Sequence, residues 1–303
     1  MKGIGHMREK SEMAGLRKKV ALLRRMGHFS PPDPNVQIRR AVAEHDLRDA
    51  YRLVHDVFVN KGYIDLKPTG IRLRAFEAIP EMATFVAGTE GRIVGVMSII
   101  PDTPDMGLPS DAGFEKELDE LRRAKRRVAE VTNLAVAPRY RRSNVFTELA
   151  RAIHAHAVAM HYDDVFIAIS PGHVGFFKDI LQFLPCGDAR NYSSEKDDTV
   201  VGLRWNMRTL REQFADADSR LGDDALLIDH FYENNPCHDF VLPWATVAKR
   251  TFLDARVLCQ LFVDGYNALD HFTPDQREAI RRRWGEAVFA EVCHGQRPEM
   301  APA

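Results

Sequence analysis

Residues 129–160 read AEVTNLAVAPRYRRSNVFTELARAIHAHAVAM. Positions 129–136 are apolar and carry β-branched side chains, as a buried strand requires. Pro138 ends that strand, because proline has no N–H to give a ladder. Arg139, Arg141 and Arg142 crowd the turn that follows. From about Asn144 the spacing changes, and Val145, Phe146, Leu149, Ile153, Ala157 and Met160 fall on one face of a helix. Ser143 or Asn144 suits its N-cap. A basic turn feeding a helix N-terminus is an anion site, through free N–H groups and the helix dipole. A plain solvated turn would carry the same residues.

The 303-residue chain is 45% hydrophobic and 28% charged, enough for a proper core. A net charge of −1 provides no global basic field for nucleic acid. The four cysteines, Cys186, Cys237, Cys259 and Cys293, are scattered and read as reduced, which points to a cytoplasmic protein. There is no apolar run near 18 residues and no signal-peptide core. Asp229, His230, Cys237 and His238 cluster without ligand spacing, so no metal is expected.

Around the opening stretch, the periodicities predict a mixed α/β domain over 36–207. Its strands lie at 36–42, 83–87, 93–100, 165–170 and 199–207, and its helices at 46–59, 114–127 and 173–184. RRAKRR at 122–127 puts five cations in six positions. Before this domain, residues 1–35 form a basic arm and a Pro-rich linker, SPPDP. Leu16, Val20, Leu23 and Met26 share one helical face of the arm, which could lie on an anionic membrane surface or an acidic partner, or fray in solvent. After it, 208–303 reads as a helical extension with helices at 210–221, 225–232, 242–262 and 273–293. The last opens on Thr-Pro-Asp-Gln, a capping box.

NLAVAPRYRRSNVFTELA resembles the acyl-donor motif of the GNAT N-acyltransferases. AYRLVHDVFVNKGYID (50–65) and GVMSIIPDTPDMGLPSDAGFEKELDELR (95–122), followed by AEVTNLAV, resemble the order in acyl-homoserine lactone synthases and, more closely, in the FeeM-type N-acyl amino acid synthases. The resemblance spans about 36–207. It implies a GNAT-like mixed sheet flanked by helices, with 63–74 as an irregular segment over the substrate entrance. It also implies a fatty acyl group carried on the phosphopantetheine of acyl carrier protein, an amino-acid acceptor, and no bound cofactor. The family's motif has two glycines in a turn that wraps a pyrophosphate. Here those positions hold Asn144 and Phe146, so side chains stand where backbone would approach phosphate. A donor with a single phosphate needs less room.

The chemistry requires an amine to be deprotonated and aligned with a polarised thioester carbonyl. Glu130, an acid inside an apolar strand and a match to the family's Glu, is the candidate base, with burial raising its pKa. Its alternative is a strand-edge acid paired with Arg126 or Arg127. Asn133 orients the amine or thioester, or caps a bulge. The resemblance implies that bulge at Leu134, Ala135 and Val136, with their N–H groups facing the thioester. Arg139, Arg141, Arg142, Ser143 and Asn144 would hold the phosphopantetheine phosphate. Arg122, Arg123 and Arg126 would dock the acidic carrier protein. Phe177 stands where many GNAT enzymes place a tyrosine acid, and His173 is the nearest titratable substitute. Rival readings are an acyl-homoserine lactone synthase, a coenzyme A-dependent N-acetyltransferase, and a non-catalytic module that binds acyl carrier protein.

Overall fold

A computed structural model describes residues 2–31, 33–191, 199–222, 226–237, 255–264 and 266–294, without the side chains of 2–13, 255 and 294. Eight strands form one mixed sheet: β1 (Gln37–Arg40), β2 (Ala83–Thr89), β3 (Arg92–Pro101), β4 (Val128–Val136), β5 (Asp164–Ile169), β6 (Leu184–Pro185), β7 (Arg190–Asn191) and β8 (Thr199–Asn206). Their spatial order is β1-β2-β3-β4-β5-β8-β6, with β7 also on β8. Only β4 and β5 are parallel; the helix α4 (Val145–Ala159) makes the crossover between them.

Alternation sends the two faces of the sheet into different cores. Phe85, Met97, Ile99 and Val131 face α4, α5 (Val174–Asp179) and α6 (Leu210–Leu221). Val86, Val96 and Ala135 face α2 (Glu44–Lys61). On that same side Ile100 and Phe166 pack under α3 (Asp111–Arg123). Gly95 on β3 allows α4 to approach, since a Cβ there would come 2.5 Å from Val145 Cγ1.

The N-terminal segment forms α1 (Lys2–Arg25). The face carrying Leu16, Val20 and Leu23 packs against the first core, with Val20 2% exposed, so this face meets its own chain. The C-terminal third divides between the two faces. α6 and the turn Asp229–Glu233 lie against α4's side, while α7 (Ala255–Phe262) and α8 (Pro274–Trp284) share a core with α2. The single helix expected over 273–293 is two, α8 and α9 (Glu286–His294). Gly285 stands at φ 82°, outside helical space. Residues 242–254 of another expected helix lie outside the described residues.

Candidate active site

β4 and β5 pair over three positions only, Val128–Asp164, Ala129–Val165 and Glu130–Phe166. Beyond Glu130 the strands part. The root of the fork is pinned by Asp164, whose buried carboxylate accepts from Arg126 and Arg204. On its other edge β4 stays with β3 through a bulge: Ser98 pairs Thr132 and Val96 pairs Ala135, leaving Asn133 and Leu134 opposite Met97. Asn133 has φ 54°, a left-handed conformation that asparagine tolerates better than most residues. The bulge therefore falls at Asn133 and Leu134, a little earlier than the expected Leu134–Val136. Past the fork, the edge of β4 that faced β5 has no strand partner among the described residues.

The bulge places Thr132 and Asn133 on the same side, where regular alternation would oppose them. They meet a polar cluster. Asn133 Nδ2 donates to Glu77 Oε1 at 3.0 Å, and Arg72 Nη1 donates to Asn133 Oδ1 at 2.7 Å. Arg74 Nη2 donates to Glu77 Oε1 at 2.6 Å and to Thr132 Oγ1 at 3.2 Å. Burial works to raise the Glu77 pKa, but Arg74, Arg72 and Asn133 outweigh it and hold Glu77 below the usual carboxylate range. A hydroxyl chain runs on across the sheet, from Ser98 through Thr84 to Tyr51, at 3.0 and 3.1 Å.

Glu130 lies on this side too, 2% exposed. Its partner is neither Arg126 nor Arg127 but Ser110. The Ser110 hydroxyl donates to Oε1 at 2.8 Å and the Ser110 N–H to Oε2 at 2.9 Å. Burial pushes the Glu130 pKa up to about 7, against the downward pull of these two bonds. A carboxyl poised there can take up and release a proton near neutral pH.

The opposite side of the fork is apolar. Met97, Val131, Leu134, Phe146, Ala150, Ile153, Ile167, Phe177 and Trp205 border a narrow, apolar-lined gap. Trp205 is held by its Nε1–H bond to Leu181 O at 2.6 Å and by stacking on Phe183, centroids 4.4 Å apart. Phe177 belongs to this apolar wall, and His173 is exposed at the start of α5. Above the gap, Tyr63 OH meets Ser170 Oγ at 3.1 Å, so the segment after α2 reaches the far end of β5.

At the start of α4, Ser143 Oγ donates to Tyr140 O at 2.6 Å and accepts from Val145 N–H at 3.3 Å. Asn144 occupies the cap position, but its side chain donates to Pro31 O at 3.0 Å. Phe146 turns to the cavity and to Phe176 and Phe177. Arg139, Arg141 and Arg142 are exposed beside this helix start.

The basic run does not act as one surface. α3 ends at Arg123 and Lys125 turns at φ 55°. Arg122 folds inward onto Asp102, Asp111 and Asp119, and Arg126 onto Asp164 and Asn206. Carboxylates of the same chain thus engage two of the three expected docking residues. Arg123, Lys125 and Arg127 are exposed.

Sequence reasoning missed Ser110, Arg72, Arg74, Glu77 and the floor of the cavity. Arg72 and Arg74 sat within the expected entrance segment, 63–74, which was the only available signal. Ser110 lies in a stretch rich in Asp, Pro and Gly, where no periodicity exposes a partner.

A mixed sheet whose central parallel pair splays beside a bulged strand is the architecture of the GNAT N-acyltransferases, and this chain is one of them. Within that class it belongs to the family of the N-acyl amino acid synthase FeeM, whose family model matches residues 49–206. The solved structure of FeeM from uncultured soil microbes is similar at 23% identity, over 59% of this chain and 93% of that one, with a TM-score of 0.53. A coenzyme A-dependent acyl-homoserine lactone synthase, BjaI, aligns at 17% identity over 62% of this chain and 89% of its own, TM-score 0.43. An N-acetyltransferase from Staphylococcus aureus Mu50 aligns at 16% over 57% and 99%, TM-score 0.42. The two weaker likenesses say nothing about the donor here. No curated protein matches the chain.

Proposed function

We propose that this chain transfers a long fatty acyl group from the phosphopantetheine of acyl carrier protein to the amine of an amino acid. The observation that carries the reading is the pairing of two environments at one bulge. An apolar gap lies beside Leu134 and a polar cluster beside Asn133. An apolar chain enters the first and an amine approaches from the second.

The step is direct, with no acyl-enzyme. The amine nitrogen attacks the thioester carbonyl carbon, the N–C bond forms, and the C–S bond breaks with its electron pair going to the thiolate. N–H groups of the bulge around Leu134, Ala135 and Val136 stabilise the oxyanion. The proton shed by nitrogen passes to Glu130 by way of a bridging water, since both its oxygens already hold Ser110. Phe177 cannot protonate the leaving group, and a pantetheine thiolate can leave without help.

The remodelled turn favours a donor with one phosphate. Residues 27–31 lie against it, through Gly27 beside Ser143 and Asn144 on Pro31, and so narrow the space there, while Arg139, Arg141 and Arg142 keep the turn cationic. The test compares carrier-protein and coenzyme A thioesters of one long chain, and their acetyl forms, across a panel of amino acids. The long-chain carrier thioester should lead by a wide margin in kcat/KM. Comparable use of coenzyme A thioesters, or acetyl transfer as the best activity, would overturn this reading.

A further inference from the structure

The acceptor's carboxylate has a place in the polar cluster. Residues 72–77 lie over the bulge and bring two guanidinium groups to it, from Arg72 and Arg74. One carboxylate, Glu77, accompanies them. Arg74 approaches it with Nε and Nη2, and the Arg74 N–H also donates to it at 2.6 Å. The side chain of Glu77 is fully buried, and these contacts keep it ionised. Glu130 also lies on this side, within reach of Asp111, and it becomes neutral when it takes the amine's proton.

Arg72 is shaped for an anion at this spot. Its Cζ lies 5.2 Å from the Phe58 ring centroid, a cation–π contact that helps to hold it. Its Nη1 bonds to Asn133, the residue that makes the bulge. The side chain is partly exposed, on the same side as the hydroxyls of Thr132 and Ser98. A planar fork of N–H donors matches a carboxylate in geometry as well as charge. An α-amino acid carries its amine one carbon from its carboxylate, so binding the carboxylate at Arg72 sets the amine beside Asn133 and the reactive edge of β4.

We infer that Arg72, positioned by Asn133 and Phe58, binds the α-carboxylate of the acceptor, and so selects free amino acids over amines that lack a carboxylate. This rests on the N-acyltransfer reading above. The experiment uses the full chain and a long-chain acyl carrier thioester. It offers three acceptors of the same side chain: the amino acid, its carboxamide and its decarboxylated amine. The wild type should favour the amino acid by about 10- to 100-fold in kcat/KM, the scale of one charge-assisted hydrogen-bonded contact. Arg72→Gln should raise KM for the amino acid and bring its ratio to the carboxamide towards one. Arg72→Lys, which keeps charge but loses the fork, should fall between.

Equal use of amino acid and carboxamide by the wild type overturns the carboxylate site, whatever the variants do. So does an Arg72→Gln that lowers both by the same factor, because a purely structural role acts on every acceptor alike. Absence of transfer to all three acceptors defeats the underlying N-acyltransfer reading, and the site with it.

Discussion

Glu130 is held between two protonation states. Burial lifts its pKa from 4.5 to about 7, and the bonds from Ser110 oppose the lift without cancelling it. The sign of the linkage follows. Between those values the folded protein binds more protons than the unfolded chain, so this group's contribution to stability falls as pH rises from about 4.5 through 7. Activity should run the other way, because the base works as the carboxylate. kcat/KM should rise with pH through an apparent pKa near 7. Glu130→Gln should keep the fold, flatten that limb, and lower turnover ~100-fold or more, the usual loss for a positioned base. Wild-type turnover in the purified variant at neutral pH would make Glu130 structural. Its candidacy was legible in sequence, since an acid inside an apolar strand stands out. Its partner was not, because Ser110 reaches it only when the loop before α3 folds over β4. The left-handed Asn133 was equally hidden: the residue type allows that conformation, but only the pairing of β3 with β4 demands it.

At the scale of an element, the run at 122–127 illustrates how composition misleads. Five cations in six positions suggest one surface, yet the turn at Lys125 divides them. Arg122 and Arg126 brace α3 and the root of the fork, while Arg123, Lys125 and Arg127 are exposed. Two different outcomes are expected. Reversing charge at Arg123, Lys125 and Arg127 should slow association with acyl carrier protein, most strongly at low salt, and spare turnover of a small thioester mimic. Arg122→Glu should instead lower the urea midpoint, because it sets a carboxylate against Asp102, Asp111 and Asp119. If the triple variant loses activity equally with both donors, the surface serves the fold or the site and not the carrier. The periodicities did locate the strands and the helices at 144–160 and 210–221. They could not place the short β6 and β7, too brief to show a period, or the split at Gly285.

Across the whole molecule, the sequence suggested an appended helical extension, whereas its helices complete both faces of the sheet. Trp284 of α8 donates to Ala78 O at 2.7 Å, closing the back of the turn Ala75–Ala78 that presents Glu77. Trp284→Ala should cost about 3–5 kcal/mol in urea unfolding, the range for an emptied large aromatic site. It should also raise the acceptor's KM more than the donor's, since the cluster it supports is on the acceptor's side. An unchanged acceptor KM in the folded variant would separate the C-terminal helices from the site. The N-terminal segment extends as far in the other direction. The Phe29 N–H donates to Thr147 Oγ1 at 3.3 Å, its ring packs edge-on with His230 at 5.0 Å, and Pro31 receives Asn144. These contacts tie residues of this segment to partners made more than a hundred residues later. Until α4 and the turn at His230 have emerged, Val20 and Phe29 have nowhere to be buried. Such long closures are slow to form. The nascent chain therefore exposes the apolar stripe of an otherwise basic helix, and Phe29 beyond it, until those partners emerge, and its yield in a cell should depend on chaperones that shield them.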